Sequence, residues 1–215
     1  MRTALAVMRI QPLHKGHTRI INEMIESCDT CILGIGSTNV SDKWNPYLFE
    51  DRKQMVQNVY GDRLKIVQLA DIGTQEGTND WVDYVLEKIK KLGMPDPTDY
   101  FTGSEADAKW YSNKFSKEHG LVDFPRPMHD YKYKDYDEAY ADAEAQNSFY
   151  FRTDSLNQVK RCLHIVDRDQ NDVPAATDLR TFLELGADDW KQWVPKVNHE
   201  IVETKYPDHF KIGAK

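Results

Sequence analysis

A chain of 215 residues, 40% hydrophobic and 29% charged, is long enough for one well-cored domain and has the balance of a globular protein. Its net charge of −7 argues against a broad nucleic-acid surface, while leaving room for a small local anion site. No apolar run is long enough to cross a bilayer, and the opening "MRTALAVMRI" lacks the h-region and cleavage pattern of a signal peptide. The expectation is a cytoplasmic protein with neither nucleic acid nor membrane as partner.

Thr3 to Met8 is a short apolar run that reads as a buried strand. Ile20, Ile21, Met24, Ile25 and Cys28 then recur at helical spacing, so a helix opens near Gly16. "TCILGIG" (Thr30 to Gly36) is a second strand. A polar loop with an Asn-Pro pair follows, then a helix from about Phe49 to Tyr60 and a third strand from Leu64 to Ala70. Trp81, Val82, Val85, Leu86 and Ile89 mark the next helix, with Thr78 or Asn79 as its N-cap. "DYFTG" (Asp99 to Gly103) is a fourth strand, and "EADAKWYSNKF" after it is helical. The segment from Met128 to Gln158 is rich in Tyr, Asp and Glu and reads as an insertion, with Phe149 to Phe151 extended. "RCLHIVD" (Arg161 to Asp167) returns to strand character. "VPAATDLRTFLELG" starts a helix and "DDWKQWVPKVNHEIVE" supplies the closing one.

Alternation of strand and helix implies an α/β fold: a doubly wound parallel sheet, Rossmann-like, ending in a helical segment. Residues 1–215 then form one domain elaborated at 128–158. Three cysteines (Cys28, Cys31, Cys162) cannot all pair, and the C-x-x-C spacing of the first two lacks a second pair to complete a zinc site. Structural cysteines in a reduced compartment are expected.

The loop "RIQPLHKGH" leaves the first strand where ligands of such sheets bind. Gly16 removes a side chain where a phosphate would approach backbone N–H groups, and the helix N-terminus favours an anion. His14 and His17 supply two donors, and Arg9 a charged fork suited to phosphate. Two histidines with no Cys, Asp or Glu at matching spacing make a poor metal site, so no protein metal ligand is named. The pattern reads as a polyphosphate site.

This run resembles the H-x-G-H signature of the nucleotidyltransferase superfamily, and within it the GRFQPxHxGH form of the nicotinamide mononucleotide (NMN) adenylyltransferases. "PAATDLR" (Pro174 to Arg180) resembles the second family signature, I-S-S-T-x-I-R, and keeps Thr177 and Arg180. The likeness extends through "GSTN" at Gly36, Asn45-Pro46 with Asp51-Arg52, "NDWV" at Asn79, "TGSEADAKWY" at Thr102 and "WVP" at Trp193. Met8 stands where the family has glycine, Ile10 replaces phenylalanine, and Ala175 and Ala176 replace two serines, removing their hydroxyls. No G-x5-E-x7-R-E segment of a pyrophosphohydrolase domain is present in the sequence.

The resemblance implies transfer of the adenylyl group of ATP to NMN, giving NAD and pyrophosphate, with Mg2+ accompanying ATP. It implies catalytic roles for His14, His17 and Arg180, and an ATP site of Arg9, Gly16, His17, Gly103, Thr177 and Arg180. Trp81, Asn79, Arg52 and Asn45 would hold NMN, the indole of Trp81 stacking on the pyridinium. The residues themselves leave alternatives open. Trp81 also continues an apolar stripe, Arg52 and Asn45 also suit a surface pair, and Lys15 suits either phosphate or solvent. Other acceptors (phosphopantetheine, or glycerol phosphate with CTP), a non-catalytic nucleotide sensor and a homo-oligomer also stay open.

Overall fold

The computed structural model describes residues 1–73, 80–119, 148–152, 159–166 and 173–212. Within them the strands are β1 (Thr3–Met8), β2 (Thr30–Ile35), β3 (Leu64–Gln68), β4 (Asp99–Thr102), β5 (Ser148–Arg152) and β6 (Val159–Ile165). The α-helices are α1 (Lys15–Ser27), α2 (Phe49–Tyr60), α3 (Asp80–Lys91), α4 (Glu105–His119), α5 (Ala176–Glu184) and α6 (His199–Lys205). Residues 74–79, which contain Thr78 and Asn79, and most of the expected insertion at 128–158 lie outside the described residues.

The strands form one sheet in the order β3-β2-β1-β4-β6-β5. All neighbours run parallel except β5, which pairs antiparallel with β6 at the edge. That pairing supplies a register for the extended Phe149–Phe151 run and adds an antiparallel edge to the parallel sheet expected from sequence. Alternating side chains divide the core in two. Ala4, Ala6, Leu33 and Ile35 pack with Ile21 and Met24 of α1, Met55 and Val56 of α2, Leu179 of α5 and Val202 of α6. On the opposite face, Leu5, Ile32, Val67 and Leu163 pack with Val82, Val85 and Ile89 of α3 and Ala108, Tyr111 and Phe115 of α4. The sheet is thus wound on both faces, and the order of its strands reverses between β1 and β4. A crevice opens there at the carboxyl ends.

Three elements depart from the sequence reading, the first being β6, expected over Arg161 to Asp167 and found at Val159–Ile165. Past β3 the Leu69 N–H still donates to the Ile35 carbonyl at 2.9 Å, but β2 turns away at Ser37, whose φ is 50°, and past Leu69 the Ala70 N–H donates to the Tyr84 hydroxyl at 2.8 Å. The closing segment is not one helix. Turns of 3-10 helix at Asp189–Gln192 and Lys196–Asn198 precede the short α6. Pro195, which lacks an N–H and crowds the carbonyl four residues back, interrupts the helical run. Asn198 then ties the segment to α2, its side-chain amide donating to the Met55 carbonyl at 2.9 Å.

One polar cluster sits inside the sheet. Asp99, fully buried, pairs with the Arg2 guanidinium, accepts from the Thr98 hydroxyl at 2.7 Å, and has His164 Nε2 at 3.0 Å. The His164 ring stacks on Phe101 with centroids 4.3 Å apart. Cys28, Cys31 and Cys162 are all free thiols. Burial pushes the Cys31 thiol up to about 11 and raises the other two further, so all three are protonated structural side chains at neutral pH.

Candidate active site

A cavity of about 660 Å³ occupies the crevice between β1 and β4, within the size range of small-molecule sites. Its lining includes Arg9, Gly16, His14, His17, Gly103, Trp81, Thr177 and Arg180, so eight residues singled out in the sequence meet in one place.

The histidines are fixed by the start of α1. His14 is its N-cap, and its Nδ1 accepts the Gly16 N–H at 3.1 Å. His17 closes the reciprocal bond, its Nδ1 taking the His14 N–H at 3.4 Å. With both Nδ1 atoms acting as acceptors, the neutral rings carry their protons on Nε2. The ring centroids lie 3.9 Å apart. Gly16 is required by this packing: a Cβ there would lie 2.9 Å from His14 Cε1. Ile10, fully buried, adopts φ of 54°, a strained conformation for a β-branched residue, held by the packing around it.

Arg180 comes from α5. It is nearly buried, donating through Nη1 to the Gln11 carbonyl at 2.9 Å and through Nη2 to the Thr177 hydroxyl at 3.0 Å. The Trp44 ring lies 5.7 Å from its guanidinium carbon. Burial and neighbouring Arg9 lower its pKa from the usual value, the state expected of a cation waiting for an anion. At the start of α5, Ala175 offers no capping oxygen, and its own N–H is taken by the Asp178 carboxylate at 3.0 Å. The N–H groups of Ala176 and Thr177 have no partner within the helix by virtue of their position. Both residues line the cavity.

Arg52 and Asn45 are not among the lining residues. Arg52 is buried, and its Nη1 donates to the carbonyls of Arg9 and Gly36, each at 2.8 Å. It therefore clamps together the chain segments leaving β1 and β2, and burial lowers its pKa to about 10. Asn45 is buried beside Asp42, to which its side-chain amide donates at 3.0 Å. Asn79 lies outside the described residues.

Trp81 lines the cavity from α3, half-buried, its ring 5.6 Å from that of Trp110 and 5.9 Å from that of Tyr111. Sequence reasoning missed Trp110, Asp107 and Asp71 as lining residues. The available signal was the i, i+3 spacing of Asp107 and Trp110 on the helix that follows Gly103.

The basic groups offer donors to phosphate oxygens and no anionic ligand to a metal ion. Among the described residues, Asp99, Cys162 and His164 are close enough to share a metal ion, but the Asp99 carboxylate there is bonded to Arg2. No described helix is long and apolar enough to cross a membrane.

Residues 9–101 match the family described as cytidylyltransferase-like. A nicotinamide-nucleotide adenylyltransferase of Pyrococcus furiosus is 28% identical over 122 residues, 53% of this chain and 61% of that protein. A second, from Methanocorpusculum labreanum, is 40% identical over 57 residues, 26% of this chain and 34% of its own. The matched part of this chain thus spans less than two thirds of those relatives. A solved bifunctional NMN adenylyltransferase/ADP ribose pyrophosphatase of Francisella tularensis, complexed with AMP and a manganese ion, superposes with a TM-score of 0.56 at 19% identity. That match covers 94% of this chain and 52% of the solved one, and at that identity it is a likeness of fold.

Proposed function

We propose that this chain, whose residues 9–101 match the cytidylyltransferase-like family, transfers the adenylyl group of ATP to NMN, forming NAD and pyrophosphate. The observation that carries this reading is the joining of His14, His17, Arg9, Thr177 and Arg180 in one cavity at the carboxyl ends of the strands. The names of the archaeal relatives support the choice of acceptor.

In the reaction, a 5′-phosphate oxygen of NMN attacks the α-phosphorus of ATP in line. A new P–O bond forms, the bond to the bridging α–β oxygen breaks, and its electron pair leaves with pyrophosphate. No protein nucleophile is needed, so positioning and charge neutralisation do the work. The Nε2–H groups of His14 and His17 address the phosphates near the start of α1, with His17 at the α-phosphate. Arg180, Thr177 and the first N–H groups of α5 hold the β- and γ-phosphates. In this reading Mg2+ accompanies ATP as part of the substrate and would neutralise charge on its phosphates. The reading places a single domain, with an insertion at 128–158, in the cytoplasm.

Arg180→Ala is expected to raise the KM for ATP at least about tenfold with a smaller change in the KM for NMN, since a charge-assisted hydrogen bond is worth roughly 1.5–3 kcal/mol. Steady-state kinetics with each substrate varied in turn checks this. Unchanged ATP kinetics would remove Arg180 from the triphosphate site.

Trp81→Ala is expected to weaken NMN binding about 2- to 30-fold while leaving ATP binding nearly untouched, because a pyridinium over an indole face gains roughly 0.5–2 kcal/mol. Trp81→Phe should recover part of the loss. Titration calorimetry with each ligand, beside a thermal melt, makes the comparison. Equal loss of both affinities with a large fall in melting temperature would mark Trp81 as a packing residue instead.

A further inference from the structure

The cavity draws its charge of opposite sign from opposite faces of the sheet. Its cations, Arg9 and Arg180, and its neutral donors, His14 and His17, come from the loop after β1 and from α1 and α5, which pack on one face. On the other face α3 and α4 contribute Trp81, Trp110 and Asp107, and Asp71 joins them from the chain just past β3. Asp107 and Trp110 are three residues apart on α4 and so share a side of that helix. The two indole ring centroids lie 5.6 Å apart, and Lys114 of α4 bridges to Asp83 of α3 at 2.6 Å, linking the helices that carry them.

Aromatic faces combined with carboxylates recognise organic cations, because the ring quadrupole and the negative charge attract the same group. A phosphorylated pyridinium ribonucleoside has this polarity, an anion at one end and a cationic ring at the other. The ring substituent distinguishes two common forms of such a nucleotide. A carboxamide is neutral, whereas a carboxylate would bring a further negative charge towards Asp107 and Asp71. We propose that Asp107 and Asp71, acting with Trp81 and Trp110, make the cavity select the amide-bearing ring and reject the acid. This rests on the reading of the acceptor as a pyridine mononucleotide and adds the groups that set its charge preference.

Asp107 also accepts a hydrogen bond from the Ser104 hydroxyl at 2.9 Å at the start of α4. Asp107→Asn is therefore the suitable change, because the carboxamide oxygen keeps that bond while the charge is lost. The test measures kcat/KM for NMN and for nicotinic acid mononucleotide in the unaltered protein, in Asp107→Asn and in Asp107→Asn with Asp71→Asn. The unaltered protein is expected to prefer NMN at least about tenfold, and the double variant to lower that ratio at least about tenfold through a gain on the acid. Damage to the fold would lower both values together, whereas a gain on the acid cannot come from damage. A ratio near one in the unaltered protein, or one that the double variant does not move, overturns the inference alone. If neither nucleotide is adenylylated, the pyridine-nucleotide reading fails and takes the inference with it.

Discussion

His17→Ala is expected to lower turnover by two or more orders of magnitude while leaving the fold intact. In the proposed reaction, in-line transfer at the α-phosphorus develops charge on oxygens that have no covalent help from the protein, so each fixed donor aimed at them counts heavily. Removing one such donor costs about 2.7–4 kcal/mol in comparable sites. The donor here is pre-positioned: the His17 Nδ1 is committed to the His14 N–H, which orients Nε2 before substrate arrives. Loss of that bond removes one half of a reciprocal helix cap, a cost of roughly 0.5–2 kcal/mol that a domain of this size tolerates. Single-turnover kinetics beside a thermal melt separates the two effects. Near-normal turnover in a folded variant would show that His17 is a cap and nothing more.

The largest effect on stability is expected at Asp99, which is not among the residues lining the cavity. Burial by itself would raise the Asp99 pKa, but hydrogen bonds from His164, Arg2 and Thr98 outweigh it and hold the carboxyl at about 2. A folded value below the unfolded one means the ionised carboxylate stabilises the fold above about pH 4. That contribution fades as pH falls towards about 2. Asp99→Ala leaves the Arg2 guanidinium half-buried without its carboxylate and removes the His164 partner, so about 3–5 kcal/mol of stability should be lost. Because His164 stacks on Phe101, which lines the cavity, substrate affinity should fall with it. Urea unfolding at pH 7 and at pH 3 checks both parts. The variant should be much weaker than the parent at pH 7, with the gap narrowing at pH 3. A gap that stays constant with pH would mean that packing alone holds Asp99.

The first half of the fold was legible in the sequence because its local signals agree. β1 and α2 have the bounds expected from their apolar patterns, and α1 opens one residue before Gly16. β3 ends two residues early because its partner β2 turns away at Ser37, whose φ is 50°, a bend in another segment that the apolar run of β3 does not record. The closing segment departs from one helix because the helical spacing of Trp190, Trp193 and Val194 stops at Pro195, where the chain turns instead.

In the cavity, the short loops carried most of the information: His14, Gly16 and His17 cap one helix, and Thr177 and Arg180 begin another. Arg52, expected to hold NMN, is not among the lining residues. Its side chain runs inward to two carbonyls that only the folded sheet brings together. Trp110 and Asp107 were missed for the converse reason, since which face of α4 meets the crevice depends on how that helix packs.

Pyrophosphate release by the purified chain supplied with ATP, Mg2+ and NMN tests the central claim most directly. Parallel reactions replace NMN with phosphopantetheine, or replace both substrates with CTP and glycerol phosphate. Pyrophosphate that appears only with NMN, in equal amounts with NAD, is the expected result. No release with NMN, or release with another acceptor in its place, would contradict the account.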